Sequence, residues 1–249
     1  MLSSIGCPYH CTYCAANIIQ PHFIERNPHA VFKEILYYRD LFSIQDIAFY
    51  DDALLLNAES RFMPLAEKII AQNLNIRFHT PNGLNIRFIN ERISHLLHNA
   101  GFKTIRLSFE SASGRIQQDS SMKATNEELK RAQKYLRKAG YHKAEIEVYV
   151  MVGLPHQSHA EVIHTINFVH DLGLTVKLVQ YSPIPHTVDY ERTAAQYDFI
   201  KEDPLYHNNT VFASKTTEIG AAHLHEIKNL VQELNNKVCT GAKTKGGQS

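Results

Sequence analysis

The chain has 249 residues, 44% hydrophobic and 20% charged, with a formal net charge of +1. That is the make-up of an ordinary globule with room for one substantial core, and barrels of this length commonly form a single domain. No apolar run is long enough to span a membrane, and a charge near zero gives no strong signal for nucleic acid. Four cysteines with no leader-like segment ahead of them argue against a disulfide framework and fit a reducing, cytoplasmic setting.

Met1 to Ile5 is too short for a full strand, so a clipped first strand is expected there, or a start inside a longer natural protein. A cysteine-rich loop and an irregular segment follow, up to Asn27-Pro28. Pro28 opens a helix, His29 to Phe42, with Val31, Ile35 and Leu36 at helical spacing. Asp46 to Tyr50 reads as a strand ending in Asp51-Asp52. Asn57 to Gln72 reads as an amphipathic helix with Asn57 as its cap.

A third strand, Asn75 to Thr80, ends at Pro81-Asn82-Gly83. A helix over Asn90 to Asn99 stops at Gly101. Lys103 to Phe109 is the fourth strand and leads into Glu110-Ser111-Ala112-Ser113. Thr125 to Ala139 is a helix with a Thr125/Glu128 capping box, stopped by Gly140. Ala144 to Val152 is the fifth strand, followed by Gly153-Leu154-Pro155. Ser158 to Leu172 is a helix capped by Ser158 with Glu161. Thr175 to Gln180 is the sixth strand, ending in Tyr181-Ser182-Pro183-Ile184-Pro185. A closing amphipathic helix spans Thr217 to Val238.

Strand–helix alternation at this interval implies right-handed crossovers and a parallel sheet, with the active face at the strands' carboxyl ends. The expected fold is therefore α/β, a partial (β/α)6 TIM-like barrel over residues 1–185. A C-terminal extension with a long helix is expected over 186–240, and a disordered tail over 241–249.

Cys7, Cys11 and Cys14 are spaced C-x3-C-x2-C, and Cys239 lies far away in the tail. Three thiolates on one short loop can hold three corners of one metal centre. Around a four-iron cluster they leave one iron open for chemistry. A structural Cys3His zinc site completed by His10 or His22 is the competing reading.

The spacing, with an aromatic residue just before the last cysteine, resembles the cluster loop of the radical S-adenosylmethionine (radical SAM) enzymes. It is most similar to those that carry a cobalamin-binding domain, which this chain lacks. The resemblance implies that Cys7, Cys11 and Cys14 ligate a [4Fe–4S] cluster and that its open iron takes S-adenosylmethionine. Pro8, His10 and Thr12 would shape the loop, and Tyr13 would lie over the adenine edge.

Asp51 and Asp52 stand where the family commonly has a Gly-Gly-Glu-like segment gripping the methionine ammonium. Arg106-Leu107-Ser108-Phe109-Glu110-Ser111 is similar to the strand-four segment, so Ser108, Glu110 and Ser111 would reach the ribose or the methionine carboxylate. Lys123 aligns with a basic residue that pairs with that carboxylate. Val150 to Pro155 resembles the strand-five segment packed on adenine, through Val152 and Gly153. Tyr181 sits at the similar strand-six exit, and Asn82 would face substrate or cofactor. Asn85, Arg87 and residues 203–210 are candidate substrate-side elements.

The resemblance implies an enzyme that cleaves S-adenosylmethionine reductively to a 5′-deoxyadenosyl radical. A low-potential electron donor of flavodoxin or ferredoxin type is expected as partner. Cobalamin would enter only through a partner or an upstream domain. No motif for sulfur insertion, tRNA or peptide modification is present, so no substrate is named. The rivals are a zinc-stabilised binding module and a barrel impaired by truncation.

Overall fold

The computed structural model describes residues 1–120, 124–208, 211–215 and 219–243. Two short strands, β1 (Ser4–Ile5) and β2 (Ile24–Glu25), pair antiparallel and close the base of the cysteine loop. A single helical turn, α1 (Ala16–Ile19), follows the third cysteine within that loop. The expected first strand is present only in outline. The Met1 amine donates to the Ala48 carbonyl at 2.7 Å, and the Tyr50 N–H donates to the Met1 carbonyl at 2.9 Å. Those two bonds are a parallel bridge to Phe49.

Helix α2 (Pro28–Phe42) begins one residue before the expected start, because the Asn27 side chain accepts from the His29 and Ala30 amides with Pro28 in the first turn. Strand β3 (Asp46–Ala48) runs parallel to β4 (Arg77–His79). Between them, α3 (Phe62–Ala71) starts five residues later than the sequence suggested. Asn57 is not its cap, since it takes a left-handed conformation, φ 49°, within a run of turns. Arg61 makes those turns possible. Its buried guanidinium donates to the carbonyls of Ala53, Leu54 and Leu56, groups that a helix would otherwise have satisfied.

Strand β5 (Leu84–Asn85) precedes α4 (Glu91–Asn99), which is capped by Asn90. Strand β6 (Phe102–Glu110) leads to a short α5 (Gly114–Ser120), which lacked a clear sequence signal. Helix α6 (Asn126–Ala139) carries the expected Thr125/Glu128 capping box. Strand β7 (Ile146–Val152) begins two residues late, because Lys143–Glu145 forms a 3-10 turn. Helix α7 (His159–Asp171) has the Ser158/Glu161 box, and β8 (Thr175–Gln180) follows. Beyond residue 185 lie α8 (Val188–Gln196), α9 (Phe212–Lys215) and α10 (Gly220–Lys243). The long helix therefore runs past residue 241, and residues 244–249 of the expected tail lie outside the described residues.

The main sheet is parallel throughout, in the order β3-β4-β6-β7-β8, with β5 beside β6. It is α/β as expected, an open parallel sheet with helices. Ile146, Val148, Val150 and Val152 alternate inward along β7 against the helix layer and are fully buried. Phe49, Phe78 and Phe102 stack at the centre of this core, with Phe62 edge-on to Phe102. The far edge at β8 is closed by α10. The Asn235 side chain accepts from the Val176 N–H at 2.8 Å and donates to its carbonyl at 2.9 Å, acting as a substitute strand.

Candidate active site

Strand period decides which side chains leave the core. Leu107 and Phe109 of β6 and Val150 and Val152 of β7 turn into the helix layer, so their neighbours turn the opposite way. Ser108, Glu110, Tyr149 and Met151 accordingly line one cavity of ≈ 400 Å³, together with Val179 of β8. A register shift in the β6–β7 pairing falls between Ser108 and Glu110, and Glu110 has φ +67°. A bulge with a left-handed residue re-aims a side chain at a strand end, which brings Glu110 into the cavity.

The cysteine loop forms the opposing wall. Cys7, Cys11 and Cys14 all line the cavity with Tyr9, Tyr13 and Ala16, and none is in a disulfide. Gly6 starts the loop at φ +82°, and a Cβ there would sit 2.8 Å from the His22 carbonyl oxygen. Only glycine fits that turn into the first thiol. The Ala16 N–H donates to Cys14 Sγ at 3.4 Å, which holds the third thiol against the start of α1. Tyr13 has its phenol pushed well above its ordinary value, by burial first and then by the charges of Glu110, Cys11 and Cys14. It stays a neutral hydrogen-bonding ring between the two walls.

The strand tips are knit into a collar. Asn82 donates to the Tyr50 carbonyl at 2.7 Å and to Asp52 at 3.5 Å, and the Tyr149 hydroxyl donates to the Pro81 carbonyl at 2.5 Å. Gly83 lies so close beneath that a Cβ would come within 2.7 Å of Ser108 Oγ and 3.1 Å of the Tyr149 ring. Asp52, Pro81 and Asn82 complete the cavity lining.

Of the site residues read from the sequence, Cys7, Cys11, Cys14, Tyr13, Asp52, Asn82, Ser108 and Glu110 meet in this cavity. Asp51 lies beneath it. Its buried carboxylate accepts from the Ser3 N–H at 2.9 and 3.0 Å, from Ser3 Oγ at 2.6 Å and from Ser4 Oγ at 2.7 Å, with Arg61 at 3.9 Å. Val152 turns into the helix core by strand parity. The Gly153 N–H, donating to Gln157 Oε1 at 2.8 Å, belongs to the turn behind it. Ser111 is buried against Thr165.

Tyr181 is buried in a second small core with Ile116, Leu154, Phe199 and Phe212, its hydroxyl 3.1 Å from Thr193 Oγ1. Lys123 lies outside the described residues. Asn85 accepts from the Arg87 N–H at 3.0 Å, Arg87 pairs with Glu128 at 2.9 Å, and Asp203 accepts from the Leu205 N–H at 2.9 Å; none of the three lines the cavity, and residues 209 and 210 lie outside the described residues. Pro81 and Met151 fall within strand-end segments already read as facing the site, whereas Tyr9, Ala16, Tyr149 and Val179 were missed; alternation along β7 was the signal for Tyr149.

Three thiols on one cavity wall are the donor type a thiolate-bound cluster takes, although among the described residues no three metal-binding side chains are gathered around a single-ion site. Either histidine that could complete a Cys3His zinc site, His10 or His22, is exposed and does not line the cavity. His10 is instead hydrogen-bonded to Asn17 at 2.5 Å. The opposing wall offers carboxylates at Asp52 and Glu110 and apolar surface at Met151 and Val179, complementary to a cationic ligand with a flat ring.

An open parallel sheet with a three-thiol loop facing its carboxyl strand ends defines the class, and a family profile described as the Radical SAM superfamily matches residues 1–169. The chain belongs to the radical SAM superfamily. An uncharacterized methyltransferase of Pyrococcus horikoshii is 26% identical over 201 residues, covering 78% of this chain and 42% of that protein. The radical S-adenosylmethionine methyltransferase TsrM of Kitasatospora setae, solved with cobalamin and a [4Fe-4S] cluster, superposes with a TM-score of 0.67 at 17% identity. That match covers 79% of this chain and 36% of TsrM. The Escherichia coli coproporphyrinogen III oxidase HemN, described as a radical SAM enzyme, gives 0.63 at 15% identity over 94% of this chain and 52% of its own. The chain thus spans less than half the length of the curated relative. Among the described residues, no helix is long and apolar enough to cross a membrane.

Proposed function

We propose that the chain is a radical SAM enzyme in which Cys7, Cys11 and Cys14 hold a [4Fe–4S] cluster and the opposing strand tips seat S-adenosylmethionine. The observation that carries this reading is the convergence of the three thiols with Asp52, Asn82, Ser108 and Glu110 on one cavity of ≈ 400 Å³. When bound, that pair supplies reductive cleavage of the sulfonium and a hydrogen-abstracting 5′-deoxyadenosyl radical. Asp52 and Glu110 supply acceptor-only groups for an ammonium. Tyr13, Met151 and Val179 offer an apolar bed for a ring, and Tyr149 fixes the Pro81–Gly83 turn.

The electron is expected from a low-potential flavodoxin- or ferredoxin-type protein. The methyltransferase relative and TsrM favour methyl transfer as the outcome. Cobalamin would then come from a partner or a segment beyond this chain. The test is anaerobic reconstitution followed by iron and acid-labile sulfide analysis and product detection. Iron, sulfide and reductant-dependent 5′-deoxyadenosine are expected. Zinc without sulfide would refute the reading, and a loaded cluster with no 5′-deoxyadenosine would favour an impaired barrel.

A further inference from the structure

The cysteine loop has a second face. Its three thiols face the main cavity, while Thr12, between the second and third cysteines, lines a separate cavity of ≈ 190 Å³ with Arg115, His156, Asp189 and Arg192. Every polar group of Thr12 is engaged outside the loop. Its N–H donates to the Ser120 carbonyl at 2.9 Å, its carbonyl accepts from the Asp189 N–H at 2.9 Å, and its hydroxyl donates to Asp189 Oδ2 at 2.8 Å. Asp189 is only 3% exposed, and its other oxygen accepts from Arg192 at 3.0 Å.

Asp189 stands in the first turn of α8, where an acid suits the helix dipole, and its bonds to Thr12 reach beyond that helix. Thr187 caps that helix, accepting from the Tyr190 N–H at 3.2 Å. A buried carboxylate is costly unless its acceptors are filled, and here Thr12 fills one. The helix lies beyond the residues matched by the family profile, which end at 169. The C-terminal extension therefore contacts the loop from residues that the family profile does not match.

We propose that Asp189 is a positioning residue for the cluster loop. Through the paired backbone and side-chain bonds to Thr12, it holds the Cys11–Cys14 span at the spacing a cluster needs and couples that spacing to the C-terminal extension. The inference rests on the functional reading above, since it assigns the loop's purpose. Neither Thr12 nor Asp189 lines the main cavity, so both can be altered without removing a thiol or a cofactor contact. Thr12→Val keeps the shape and removes the hydroxyl, Thr12→Ser keeps the hydroxyl, and Asp189→Asn removes the charge.

Two measurements score the clamp. In cluster-free full-length protein, hydrogen exchange across residues 8–16 is expected to quicken about tenfold in Thr12→Val and Asp189→Asn, the loss of one charge-assisted bond. Exchange in β6 and β7 should stay at the parent rate, and Thr12→Ser should restore the loop. In reconstituted protein, iron release to a chelator should be several-fold faster in the same two variants, with a changed electron paramagnetic resonance signal of the reduced cluster. Unchanged loop exchange and chelation, in a parent that does load iron and sulfide, overturns the clamp alone. A parent that loads neither overturns the functional reading, while loop exchange still reports whether Asp189 holds Thr12.

Discussion

Replacing Asp51 with asparagine separates a structural carboxylate from a cofactor ligand. Oδ1 of Asp51 accepts from Ser3 N, Ser3 Oγ and Ser4 Oγ, and Oδ2 accepts from Ser3 N at 2.9 Å. An amide keeping its oxygen at the first position would point an N–H group at the Ser3 N–H, donor against donor. Hydrogen bonds to a charged group contribute about 1.5–3 kcal/mol each. Breaking a buried charge network by altering one partner costs about 3–5 kcal/mol. Arg61, 4% exposed at its side chain, keeps Glu25 at 3.5 Å as a second partner, which softens the loss. We expect Asp51→Asn to lose about 3 kcal/mol, a large share of the roughly 5–15 kcal/mol that holds a domain folded. The assay is urea denaturation of cluster-free protein, reading the midpoint with the slope unchanged. A variant within about 0.5 kcal/mol of the parent that nonetheless fails to bind S-adenosylmethionine after reconstitution would refute the argument and return Asp51 to the binding site.

Three further outcomes follow from single contacts. Gly83→Ala should cost about 1–2 kcal/mol from its left-handed backbone. It should also weaken S-adenosylmethionine binding by displacing Ser108 and Tyr149, read by thermal melting and by titration of reconstituted protein. Asn235→Ala leaves the Val176 amide and carbonyl without their partner and opens the β8 edge; a loss of about 2–3 kcal/mol and increased light scattering are expected. Burial alone would raise Glu161, but the Ser158 amide, Arg115, Ser113 and the Ser158 hydroxyl hold it down to about 2 from an ordinary 4.5. A depressed carboxyl contributes stability above pH 4.5, and that contribution is lost as pH falls toward 2. Glu161→Gln should flatten the acid limb of the stability profile in that window, and an unchanged limb counts against it.

The sequence by itself determined the thiol loop, the parallel alternation and the ends of α2, α4, α6 and α7 to within a residue. Cysteine spacing states a ligand set within one short loop, and capping residues such as Thr125, Ser158 and Asn90 act within four positions of their targets. It also marked the strand tips that face the thiols. Only the tertiary structure decided which residue of each tip does so. Asp51 and Asp52 are adjacent and chemically alike, yet one is drawn down onto Ser3 and Ser4 while the other lines the cavity. Val152 and Met151 differ by one step of a two-residue period, and which face is the core depends on helices packed from elsewhere in the chain. Arg61 replacing helical bonds among residues 53–56, and Asp189 reaching Thr12 across 177 positions, leave no local pattern. Such contacts exist only once the chain has closed, because their partners are neighbours in space and not in sequence.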